Sequence, residues 1–144
     1  MTSTIPWGRI ILAAILLEIA ITAVAVPVGI VFGTPMQIQP GEPAADATVF
    51  YVVVALACLV LGAVFGAWAV RRAASRFALH GLLVGLVAMA LYFGMCSLAP
   101  GGLAGVVDAY GVGMFVTFNA LRTLGCVVGA WHRGTRLGRV QPAP

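Results

Sequence analysis

Four long apolar runs, bounded by short segments that hold eight of the twelve charged residues, dominate the chain. They run from about Gly8 to Phe32, Thr48 to Val70, Phe77 to Leu98 and Val106 to Trp131. Each is long enough to cross the ~30 Å hydrocarbon layer of a bilayer as a helix. The segment 33–47 contains Pro35, Pro40, Gly41 and Pro43, and Pro100-Gly101-Gly102 follows the third run. Neither cluster can continue a helix, so both predict loops. The pattern predicts an all-α integral membrane protein, a four-transmembrane-helix bundle forming one domain over 1–144, with a short basic tail at 132–144.

Composition agrees with that reading. Hydrophobic residues make up 62% of the chain, charged residues only 8%, and the mean hydropathy is +1.08. Too few polar groups remain to cover a water-soluble globule of 144 residues. The net charge of +4 comes entirely from arginine, since lysine is absent. With abundant Ala and Gly, this composition fits a GC-rich bacterial genome and an inner-membrane location.

The arginines also predict orientation. Arg9, the group Arg71, Arg72 and Arg76, and the group Arg133, Arg136 and Arg139 fall on one side of the four-span topology. Glu42, Asp46 and Asp108 fall on the other. The positive-inside rule then puts both termini in the cytoplasm. Trp7, Trp68 and Trp131 mark the inner helix ends, and Phe50, Tyr51 and Tyr110 the outer ends, as an aromatic belt does. A basic pI with this distribution reflects topology, not nucleic-acid binding. The same arginines could attract anionic headgroups at about 1 kcal/mol each, although every positive-inside protein carries such clusters. Ala23-Val24-Ala25 imitates a signal-peptide cleavage site, but the run continues apolar to Phe32 and holds a Glu at its centre, which argues for an uncleaved span.

Two ions lie deep inside the apolar runs, away from their ends: Glu18 and Arg122. Each is about ten residues, roughly 15 Å of helix rise, from the inner surface, so they share a depth. A lone charge at the bilayer centre costs about 2.5–3.5 kcal/mol on insertion scales, which favours pairing or functional use. Thr22 lies one turn beyond Glu18, and Asn119 one turn before Arg122. Helical spacing therefore predicts an intramembrane polar cluster of Glu18, Thr22, Asn119 and Arg122 where the first and last spans meet. As a structural device such a pair would fix which helices are neighbours and in what register. As a functional one it would line a path for an ion or a small polar ligand.

Small-residue spacing predicts where the helices pack. Gly62 and Gly66, Gly81 and Gly85, and Gly125 and Gly129 each have the four-residue interval that lets backbones approach closely. Gly29 and Gly33 repeat it. Intramolecular packing explains this spacing more simply than a dedicated dimerisation face. Tyr92 shares a stripe with Gly85, Ala88 and Cys96 and is expected to hydrogen-bond across the bundle, while Pro27 is expected to kink the first span. His80 reads as a partly hydrated interfacial residue and no metal ligand set surrounds it. Cys58, Cys96 and Cys126 are scattered singly, so no metal site and no disulfide is expected.

No phosphate loop, HExxH or nucleophile with a nearby base is found, and no cofactor or enzymatic activity is expected. The segment Ala13-Ala14-Ile15-Leu16-Leu17-Glu18 resembles the first helix of the small multidrug resistance transporters. That resemblance would imply a four-helix transporter with a functional Glu in helix one. It spans six residues, does not extend to the later helices, and pairs its Glu with a candidate Arg. Fluoride channels are similar only in size and helix count. The antiparallel dimers both families build need a weak charge bias, whereas here seven arginines share one side. The leading expectation is a non-enzymatic accessory, assembly or interaction subunit with a structural Glu18–Arg122 pair. The alternative is a small oligomeric transporter or channel with Glu18, Asn119 and Arg122 in its permeation path. Partners would be the lipid bilayer and either another membrane protein or a parallel homo-oligomer.

Overall fold

The computed structural model describes residues 6–33, 47–71, 73, 75–99 and 101–138. It contains five helices and no strand among these residues: α1 (Trp7–Phe32), α2 (Thr48–Ala69), α3 (Phe77–Ser97), α4 (Gly102–Tyr110) and α5 (Val112–Gly138). Four of them, all but α4, are long and apolar enough to cross a membrane. Several residues used above fall outside the described set: Pro35, Pro40, Gly41, Glu42, Pro43 and Asp46 of the first loop, Arg72, Pro100 and Arg139.

The fourth apolar run is not one helix. It breaks at Gly111, whose φ of 75° and ψ of 143° are open to glycine and strained for L side chains. Gly102–Tyr110 becomes a separate nine-residue helix, and α5 runs on past Trp131 to Gly138, through most of the stretch expected to be a tail. Pro27 lies within α1, which continues to Phe32.

The long helices form a ring in the order α1, α2, α5, α3. Its tightest seam joins α2 and α5, which run parallel: a Cβ built at Gly62 would lie 2.7 Å from the Arg122 carbonyl oxygen, one at Gly125 would collide with the Leu59 carbonyl, and one at Gly129 with the Ala63 carbonyl. On its other flank α5 runs antiparallel to α3. There a Cβ at Gly81 would strike the Cys126 carbonyl, one at Gly85 would lie 2.9 Å from Thr123 Cα, and one at Gly134 would enter the Phe77 ring. A Cβ at Gly66 would meet the Cys126 carbonyl as well. Where no hydrophobic effect separates helix from lipid, such close backbone approach supplies the dispersion contact that holds helices together.

Because α2 and α3 occupy both small-residue flanks of α5, α1 is displaced to the far side of the ring. No Cα of α1 lies within 8 Å of one in α5 among the described residues. The expected meeting of first and last spans is therefore corrected: they face each other across the bundle diagonal, and only long side chains can bridge them. The outer faces carry Ile19, Ile30, Val31, Val60, Leu124 and other large apolar residues, the surface expected to face lipid tails.

Candidate functional site

The bridge between the diagonal helices is an ion pair. Arg122 Nη1 of α5 lies 3.0 Å from Glu18 Oε1 of α1, with side chains only 2% and 6% exposed. The register follows from helix direction: α1 and α5 cross the bundle in opposite senses, so residues at matching depths arrive at the same level. Arg122 Nη1 also lies 3.4 Å from Asn119 Oδ1, and Asn119 Nδ2 donates to the Phe115 carbonyl one turn back at 2.8 Å. This chain of contacts orients the guanidinium from within α5. Tyr92 of α3 completes the setting, with the Arg122 guanidinium carbon 4.7 Å from its ring centre. The expected cross-bundle hydrogen bond of Tyr92 is replaced by a cation–π contact, which in a desolvated site is worth about 2 kcal/mol.

Satisfaction of the pair is incomplete. Glu18 Oε1, although ion-paired with Nη1, and Arg122 Nε are both buried without a hydrogen-bond partner. Both residues line an internal cavity of about 110 Å³, together with Thr22, Cys58, Tyr92, Met95 and Tyr110. Thr22 is exposed and on its wall, and it bonds to neither ion, so of the four residues expected to cluster Arg122 contacts both Glu18 and Asn119, and Thr22 borders the same space as the ion pair.

An aromatic layer closes the cavity at the end where α4 sits. Phe50 stacks on Tyr110 with centroids 6.0 Å apart, and Phe118 meets Tyr110 edge-on at 6.3 Å and Tyr51 at 6.2 Å. The break at Gly111 lets α4 turn back and place Tyr110 over the bundle. Tyr110 lies with Phe50 and Tyr51, the residues grouped with it at the outer helix ends in the sequence; only the glycine pair Gly111 and Gly113 hinted at the break beside it. Toward the opposite end the interior is filled by Ile10, Ala13, Ala14, Leu17, Val84, Ala88 and Cys126, each fully buried.

The remaining polar groups lie away from this site. His80 is buried, not partly hydrated as expected, and its Nδ1 lies 2.9 Å from the Arg76 carbonyl, which can only accept, so Nδ1 carries the proton. Arg9 stacks over Trp68 at 5.5 Å and joins α1 to α2 at the tryptophan-bearing end. Cys58, Cys96 and Cys126 are buried free thiols. Among the described residues no three His, Cys, Asp or Glu side chains gather at a metal-binding spacing. No protein-family model matches the sequence, and no curated protein or solved structure matches it either.

Proposed function

We propose that this chain is a non-enzymatic multi-pass protein of the bacterial inner membrane, with both termini cytoplasmic, that serves as an accessory or assembly subunit. Its Glu18–Arg122 pair is a brace across the bundle, not a station on a permeation path. The observation that carries this reading is the filled axis beside the pair: seven fully buried residues, from Ile10 to Cys126, lie between it and the tryptophan-bearing end. A polar species entering from that end would have to displace close-packed side chains. The arginine distribution supports the orientation, since Arg9, Arg71, Arg76, Arg133 and Arg136 belong to the loop and helix ends assigned to the cytoplasm. The apolar outer faces give it the bilayer, and a second membrane protein or a parallel copy of itself, as partners.

Reconstitution of the purified protein in liposomes tests this against the transporter or channel reading. The accessory reading predicts ion leakage and solute uptake equal to protein-free vesicles. A flux that depends on the protein and disappears in the Glu18→Gln, Arg122→Gln double variant would place Glu18, Asn119 and Arg122 in a permeation path and overturn it.

A further inference from the structure

Outside the bundle, a groove of about 570 Å³ runs between α1 and α3, lined by Ile15, Ile19, Ala23, Val26, Pro27 and Leu91 together with three residues that also line the internal cavity. Those three are Glu18, Thr22 and Met95. The polar interior is thus separated from the bilayer-facing groove by the thickness of three side chains, one of them the ion-pair carboxylate. Where α5 meets α2 and α3 the backbones approach closely at glycine, whereas between α1 and α3 exposed Met95, a flexible thioether, and the small Thr22 form the partition.

The two buried atoms of the pair left without hydrogen-bond partners, one of them the ion-paired Glu18 Oε1, specify what would complete the site. Glu18 Oε1 can only accept a hydrogen bond from a ligand and Arg122 Nε can only donate one. A buried polar group left unmatched costs about 1–3 kcal/mol. The pair itself is charge-neutral, so a head with a net charge would oppose one of its members. A head that is neutral and carries both a donor and an acceptor would satisfy both atoms, and the groove beside it would hold an alkyl chain. Its volume lies within the roughly 300–1,000 Å³ range of small-molecule sites.

We propose that the α1–α3 groove and the cavity behind Met95 form one binding site for a single-chain amphiphile with a small neutral head that both donates and accepts hydrogen bonds, entering sideways from the bilayer past Glu18, Thr22 and Met95. The head lies in the cavity beside the intact Glu18–Arg122 pair, and the chain lies along Ile15, Ile19, Ala23 and Leu91. This goes beyond the accessory role and does not depend on it, since a brace and a ligand site can share the same pair.

Radiolabelled dodecanamide, a primary amide on a saturated chain, is a suitable probe for the full-length protein in nanodiscs. Unlabelled dodecanamide should compete for the label at least about tenfold better than dodecane, which has the chain and no head; tenfold corresponds to about 1.4 kcal/mol. Met95→Trp, which fills the partition, and Ala23→Trp, which fills the groove from an exposed position, should each lower binding about tenfold or more while thermal stability holds. Ala23 is exposed and Met95, although it borders the cavity, is half exposed, so neither change burdens the close-packed core. Equal competition by dodecane, or full binding retained in both tryptophan variants, would overturn the proposal.

Discussion

Glu18 and Arg122 meet at 3.0 Å although the helices that carry them have no close backbone contact. The pair spans the diagonal of the ring, so its effect differs from that of a bond between neighbours. A contact between adjacent helices fixes one seam, whereas one across the diagonal fixes the depth of α1 against α5 and thereby the register of α2 and α3 between them. Buried ion pairs contribute little net stability, and their best-attested use is to specify register. Here the specification acts where small residues would otherwise let helices slide.

The α2–α5 seam should be the part of the molecule least tolerant of added volume. Gly129→Ala places a methyl against the Ala63 carbonyl, and backbone on both sides leaves nothing to yield. We expect a loss of about 1–3 kcal/mol, the usual cost of overpacking. Gly94→Ala is the control, because a Cβ there meets nothing within 4 Å. It should be neutral or stabilising by up to about 1 kcal/mol through helix propensity. Thermal unfolding of the two variants in one detergent checks both, and equal stability would show that the seam is looser than its geometry.

Tyr92 should matter through its ring face. Tyr92→Phe keeps the surface on which the Arg122 guanidinium rests at 4.7 Å, and should change stability by less than about 0.5 kcal/mol, whereas Tyr92→Leu should cost about 1–2 kcal/mol. The measurement is again thermal unfolding. A larger loss in Tyr92→Phe than in Tyr92→Leu would assign the role to the hydroxyl.

Orientation can be read by labelling. In a background without native cysteines, a single cysteine at Leu98, which is exposed at the end of α3, should react with a membrane-impermeant maleimide added to intact cells. One at Ser75, before α3 begins, should react only after the membrane is opened. The reverse pattern would invert the topology.

Hydropathy located α1, α2 and α3 to within about a residue at each end, because length and apolar composition are all that spanning a membrane demands, but it placed both ends of α5 too early. Glycine spacing marked candidate contact surfaces, but the same spacing on all four spans could not say which surface meets which. That choice depends on α5 offering one flank to Leu59 and Ala63 and the other to Gly81 and Gly85, a comparison of packed volumes that no single helix contains. The diagonal position of α1 was therefore invisible, even though matched depth already paired Glu18 with Arg122. The break at Gly111 was hidden for a different reason. An apolar run looks continuous in hydropathy, and a glycine within it is equally compatible with close packing and with a turn; only its positive φ decides. Tyr110 and its place in the aromatic layer over the cavity followed from that break.

The central claim, that Glu18 and Arg122 act as one brace, is tested most directly by a double-mutant cycle on Glu18→Gln and Arg122→Gln, read as unfolding free energy in detergent. Each single change leaves a buried charge uncompensated and should cost about 3 kcal/mol or more. The double variant should lose less than the sum, with a coupling above about 0.5 kcal/mol. Losses that simply add, or no loss in any of the three, would contradict the brace.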